Sequence, residues 1–150
     1  MSSAPLISII MPAHHSEAFI ARSVQSVLDQ TYQNWELIIV ADDLGDYEKV
    51  LCEQGIQDAR IKHVSTRRKG GGPSNARNIG LDAASADYIA LLDSDDLFHR
   101  EKLERCVPLL EKHPLVMAAY QEVLLQDEEP QYFITNHGYA DSQLLNSPQD

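Results

Sequence analysis

Three short runs, Leu6–Met11, Trp35–Val40 and Tyr88–Leu92, are apolar but for Ser8 and Glu36 and do not alternate, and each is followed by residues that suit a helix. A strand with one wet face alternates polar and apolar residues. A strand buried on both faces does not, and it belongs to a mostly parallel sheet covered by crossover helices. That constraint fixes the fold class as α/β, a Rossmann-like sheet with helices on both faces. The helices follow in turn. Phe19, Ile20, Val24, Val27 and Leu28 recur at helical spacing, with Ser16 placed as N-cap and Glu17 in the first turn. A helix is expected over Tyr47 to Gln54, a strand at Ile61–Val64, and a helix beginning at Pro73 or Ser74 that carries Ala76, Ile79, Leu81 and Ala84. Pro12 is expected to stop the first strand, and Pro108 to kink or break a helix starting near Arg100. Leu115–Tyr120 reads as a last strand, and the pattern weakens from Gln126 onward.

The 150 residues are one domain's length, and no apolar run approaches the ~20 residues needed to cross a bilayer. The N-terminus has neither a basic stretch nor an apolar core, so it is not a secretory signal. Cys52 and Cys106 have no metal-ligand spacing, and a cytoplasmic setting is expected. Twelve basic residues against twenty-three acidic ones give a net charge of −11, which argues against a nucleic-acid partner. Residues 121–150 hold six acids and no Lys or Arg, so the chain divides into a core, 1–120, and an acidic tail, 121–150.

Parallel sheets bind ligands beyond the carboxyl ends of their strands. Three polar clusters fall there: Pro12-Ala13-His14-His15, Asp42-Asp43 and Asp93-Ser94-Asp95-Asp96. Three carboxylates in four residues repel one another unless a cation stands among them, and they are the hard ligands that Mg²⁺ or Mn²⁺ prefers. The competing reading is a solvated turn capping the next helix. At Asp42-Asp43 a carboxylate suits a ring N–H while its neighbour faces solvent; the alternative is a turn that satisfies local backbone donors. Arg67 to Ser74 is a basic, glycine-rich loop opening onto a helix, suited to phosphate oxygens or equally to a mobile surface role. It is not a Walker A loop, and its glycines do not follow the first strand as a dinucleotide fingerprint requires. His14 and His15 are adjacent and expected to point apart, so metal ligation there is not expected.

In this order the clusters resemble the family 2 inverting glycosyltransferases of the GT-A fold. Ile9-Ile10-Met11-Pro12-Ala13-His14-His15-Ser16-Glu17 resembles that family's first strand and Pro-x-Tyr-Asn segment. Gly72-Pro73-Ser74-Asn75-Ala76-Arg77-Asn78-Ile79-Gly80 is similar to its Gly-x-x-x-Ala-Arg-Asn-x-Gly helix, and Leu92-Asp93-Ser94-Asp95-Asp96 to its strand and Asp-x-Asp motif. The likeness covers residues 6–120. It implies a nucleotide site formed by Pro12, His14 (in place of the family's Tyr), Asp42, Arg77, Asp93 and Ser94. In that site Asp42 contacts the base, Asp93 faces the ribose and Asp95 holds Mn²⁺ or Mg²⁺. His15 replaces the family's Asn, and Ala41-Asp42-Asp43-Leu44-Gly45 departs from its Asp-Asp-Gly-Ser.

The implied activity is metal-dependent, inverting transfer of a sugar from a nucleotide-sugar, UDP-linked, to a saccharide or lipid-linked acceptor. The general base is expected beyond residue 150. This chain is expected to be the donor-binding part of a longer enzyme, inactive for transfer alone, and cytoplasmic or peripheral to the inner face of the membrane. The alternative is a non-catalytic nucleotide-binding or partner-binding module complete at this length. A receiver-type signalling domain fits less well, because its acidic pair follows the first strand and this one follows the second.

Overall fold

The computed structural model describes residues 4–112, 120–123 and 131–134. The chain divides into two compact units, Met1–Glu101 and Lys102–Asp150. The first contains β1 (Ile7–Ala13), α1 (Ile20–Leu28), β2 (Trp35–Ala41), α2 (Tyr47–Glu53), β3 (Ile61–Ser65), α3 (Pro73–Ala83) and β4 (Tyr88–Leu91). Its four strands are all parallel, in the order β3-β2-β1-β4, with Ile7 opposite Trp35 and Tyr88, and Leu37 opposite Ile61. This is the expected Rossmann-like arrangement. The second unit contains α4 (Lys102–Lys112) and an antiparallel pair, β5 (Tyr120–Val123) with β6 (Gln131–Ile134). Of the expected strand Leu115–Tyr120, only Tyr120 lies within the described residues.

The strand order dictates where the helices go. Moving from β1 through β2 to β3 steps one way across the sheet, and β3 to β4 steps back. Right-handed crossovers therefore put α1 and α2 on one face and α3 on the other. The burial agrees. Ile10, Ile38 and Val40 form a fully buried cluster with Ala76 of α3, flanked by Val64, Ile79 and Ile89. On the opposite face Ile9, Met11, Leu37 and Ile39 are buried as well. Gly80 is what lets α3 approach: a Cβ there would stand 2.4 Å from Cγ2 of Ile10.

The strand runs past Pro12 instead of stopping at it. Alternate residues of β1 turn their amide groups to β2 and to β4; Ala13 O accepts from Asp42 N, and Ile10 O accepts from Leu92 N. Pro12 has the parity of Ile10 and faces the β4 side, but β4 ends opposite Ile10. The missing N–H costs no ladder bond there. Ser16 is not the side-chain cap of α1, which begins at Ile20 after a turn in which Ser16 O accepts from Phe19 N and Ile20 N. In α2 the cap is Asp46, whose carboxylate accepts from Lys49 N. Helix α4 continues through Pro108, which gives up only the one N–H bond toward Glu104.

At the N-terminal end of the sheet a single buried acid ties four segments together. Glu36 accepts from Ser8 Oγ of β1 at 2.5 Å and from Ser85 N at 2.7 Å, and pairs with Lys62 Nζ of β3 at 2.5 Å. Burial alone would raise its pKa. Lys62, Ser8 and Ser85 outweigh that and hold it at about 2. A depressed carboxylate contributes stability that is complete above its unfolded pKa and is lost as pH falls through the folded one. From about 4.5 down to about 2 the domain should lose up to ~3 kcal/mol on this account. Thermal melts across that window should show the loss in the native chain and a shallower slope in Glu36→Gln, which also starts less stable. Gly80→Ala should cost ~1–3 kcal/mol by driving α3 off Ile10, measured by denaturant unfolding at neutral pH.

Candidate functional site

The carboxyl ends of β1, β2 and β4 carry the three polar clusters, and the loop after β3 closes over one of them. At the end of β2, Asp42 is 3% exposed. Its two oxygens accept from Gly71 N at 3.0 Å and from Gly72 N at 2.7 Å, and the Thr66 hydroxyl bonds it as well. Its backbone carbonyl accepts from Gly70 N at 2.7 Å and lies 3.3 Å from His14 Nδ1. Burial pushes the Asp42 carboxyl up, but Thr66, Gly72, Gly71 and His14 outweigh it, so the group stays ionised below the ordinary carboxylate range. The glycine amides that suit a phosphate are thus turned onto the protein's own carboxylate.

Asp43 does not face solvent as expected. Its side chain is 3% exposed and accepts from His15 N at 2.6 Å, Tyr47 Oη at 2.7 Å and Gly45 N at 2.9 Å. Burial raises its pKa; the His15 amide, the Tyr47 hydroxyl, the Gly45 amide and the His15 ring together bring it below the usual value. Tyr47 also accepts from Ser16 N, and burial together with Asp43 pushes its phenol up to about 12. Both acids of this pair are therefore committed to loop geometry.

At the end of β4 the situation differs. Arg77 Nη2 of α3 meets Asp93 Oδ1 at 2.6 Å. Asp95 is exposed and, among the described residues, has no hydrogen-bond or ion-pair partner. Ser94 points the other way: it is buried, its Oγ lies 2.7 Å from Ser16 Oγ, and its carbonyl accepts from Ser23 Oγ at 2.7 Å. The hydroxyl set Ser16–Ser94–Ser23 locks the acidic turn to the β1–α1 loop, leaving Asp93 and Asp95 outward. Pro12 is half-buried and His14 exposed at the neighbouring strand end. The predicted residues therefore share one rim, with Asp42 and Ser94 beneath it as supports and His14, Arg77, Asp93 and Asp95 on it. Arg77 Nε is buried without a protein partner and only Nη2 is engaged, by Asp93, which leaves several guanidinium donors unspent.

Three carboxylate oxygens of the Asp93–Asp95 turn, one of Asp93 and two of Asp95, thus remain for a hard cation, and this donor set fits Mg²⁺ or Mn²⁺. His14 and His15 do not point apart as expected, since their rings meet edge to face with centroids 4.4 Å apart, and His15, Glu17 and Asp43 bring ligand atoms within 4.8 Å of one another. The Asp43 oxygens there are already filled by three protein donors. Thr66, Tyr47 and Ser23 were not legible as site residues, because their partners lie far along the chain and no local motif marks them. A small open hollow of about 160 Å³ beside Ala41, His63 and Ser65 includes none of the rim residues.

Comparison with known proteins agrees with this geometry. Residues 8–146 match the model of Glycosyl transferase family 2. An uncharacterized glycosyltransferase of Haemophilus influenzae is 42% identical over 114 residues, covering 75% of this chain and 45% of that protein. The Escherichia coli UDP-Glc:alpha-D-GlcNAc-diphosphoundecaprenol beta-1,3-glucosyltransferase WfgD is 42% identical over 108 residues, 72% of this chain and 42% of its own length. The crystal structure of S. aureus TarS 1–349 in complex with UDP-GlcNAc superposes with a TM-score of 0.64 at 25% identity, over 72% of this chain and 32% of that one. The chain spans less than half the length of these relatives. With the parallel sheet, the rim of acids at its carboxyl edge and the match along most of its length, the chain belongs to glycosyl transferase family 2.

Proposed function

We propose that residues 4–101 form the donor side of an inverting, metal-dependent glycosyltransferase whose donor is a UDP-sugar and whose acceptor is a saccharide or a lipid-linked saccharide. The observation that carries the reading is the division of labour among the acids. The Asp42 and Asp43 carboxylates are buried and spent on the loops, whereas Asp95 and one oxygen of Asp93 are outward and unspent beside Arg77. The UDP-linked donors in the names of WfgD and of the TarS complex support the nucleotide assignment.

In this reading Asp95 and Asp93 would hold a divalent cation, which when bound neutralises charge developing on the leaving diphosphate. The protein's own groups do the rest. Arg77 offers its spare N–H groups to a diphosphate oxygen while steadying Asp93, and a planar guanidinium suits that task. His14 and Pro12 line the approach to the nucleoside. Asp42 shapes the floor by holding the Gly70–Gly72 turn in place, with its charge available to a ring N–H only through lone pairs not already used. Attack by an acceptor hydroxyl needs a carboxylate on the opposite side of the sugar, and no described residue is assigned that role.

UDP should bind measurably more tightly with millimolar Mn²⁺ than with EDTA. Asp95→Ala should erase the difference while leaving the melting temperature unchanged or slightly raised, because a like charge leaves the turn. Calorimetry giving the same affinity in all three cases would sink the metal assignment. Asp42→Asn should lower stability by ~1–3 kcal/mol, because the amide's NH₂ would face a loop amide N–H and charge assistance is lost. UDP affinity should fall with it. A variant that melts like the native chain and loses only UDP affinity would make Asp42 a base contact and not a loop anchor.

A further inference from the structure

We propose that the β3–α3 loop, through Arg67, Arg68 and Lys69, is an electrostatic docking point for an anionic lipid surface. Charge is segregated along this chain. Between residues 59 and 81 there are six cations and not one acid, in a protein whose net charge is −11. Three of the six are spent inside the fold: Arg60 on Asp58, Lys62 on Glu36 and Arg77 on Asp93. Arg67, Arg68 and Lys69 are consecutive and exposed, and no carboxylate among the described residues pairs with them.

The loop that presents them is not slack. Thr66 N bonds Ala41 O at 2.9 Å, the Thr66 hydroxyl accepts from Arg68 N at 3.3 Å, and Gly70, Gly71 and Gly72 are all bonded to Asp42. Arg67 sits at φ 57° and Gly70 at φ 70°, the left-handed bends that turn the backbone back toward the sheet within a few residues. The Gly70, Gly71 and Gly72 amides, which would suit a bound phosphate, all turn inward onto Asp42, so the outward chemistry of Arg67–Lys69 is three side-chain cations at a tip. A tip suits a flat anionic surface, whereas an extended polyanion needs a groove or stripe. Leu44, 56% exposed in the neighbouring β2–α2 loop, adds an apolar group at the same end of the sheet.

Distance separates this tip from the acidic rim. The ends of β3 and β4 are three strand spacings apart, ~14 Å, which exceeds the ~8 Å screening length at physiological salt. The Asp93–Asp96 charges therefore do not cancel the tip, and a surface touching it senses the local charge more than the net −11. The site's mouth is at the same carboxyl edge, so docking there would bring the transfer rim to a bilayer. That last step rests on the donor-side reading above; the docking itself does not.

The test is flotation of the chain with vesicles of phosphatidylcholine alone and of phosphatidylcholine with one part in three phosphatidylglycerol, each at low and high salt, beside UDP calorimetry. Binding is expected only to the anionic vesicles and only at low salt. It should fall roughly a hundredfold in Arg67→Asn/Arg68→Ser/Lys69→Ser. Asn tolerates the left-handed bend, and Arg68→Glu, a single exposed change, should give the same direction of effect should the triple variant melt early. UDP affinity should not move in either variant. No binding to anionic vesicles, or equal binding by native and variant chains, overturns the proposal. So does a variant that keeps vesicle binding and loses UDP, since the cations would then serve the nucleotide's phosphates. Failure of UDP to bind the native chain sinks the donor reading and leaves the vesicle result to stand or fall by itself.

Discussion

The carboxylate of Asp42 is the contact on which the upper half of the domain depends. A buried charge is expensive, and it persists only where donors replace the water it gave up. Here the replacement comes from Gly71, Gly72 and Thr66, none of them near Asp42 in sequence. The same residue's N–H reaches Ala13 of β1 and its carbonyl takes Gly70 of the loop. One residue thereby joins β1, β2, the end of β3 and the entry to α3. The glycines are required for a physical reason: Gly70 and Gly72 lie at φ 70° and 88°, where a side chain would be strained, and only so do consecutive amides converge on one carboxylate.

The acidic turn after β4 solves the complementary problem. A rim built to accept a cation must survive without one, and like charges within a few ångströms resist that. Arg77 neutralises Asp93 from the adjacent helix, and Ser16 and Ser23 hold Ser94 from below, so the turn keeps its shape by contacts that leave Asp95 free. The strand order β3-β2-β1-β4 places this turn beside β1, and the segment that follows it stays against α1, where Ser26 Oγ accepts from Phe98 N and Gln30 Nε2 donates to His99 O.

Much of this was legible in the residues themselves. The continuous burial of β1 and β2 follows from runs with no polar interruption except Ser8 and Glu36, and these two bond each other. What local reading missed was set by neighbours. Judged by its missing N–H alone Pro12 ends a strand, yet β4 has already stopped on the side it faces. Ser16 has the composition of a cap and is instead drawn 2.7 Å from Ser94, seventy-eight residues away. Asp43 has every local feature of a solvated turn acid, but Tyr47 lies one helical turn onward and takes it inside.

Sequence alone determined the class of sheet, the rim on which polar groups gather and the family, because hydrophobic periodicity and motif order are properties of the chain taken in line. Tertiary structure decided which acids are spent and which are left. Whether a carboxylate is a scaffold or a ligand depends on the donors that surround it, and for Asp42, Asp43, Asp93 and Asp95 many of those donors come from other segments of the chain, or are absent among the described residues.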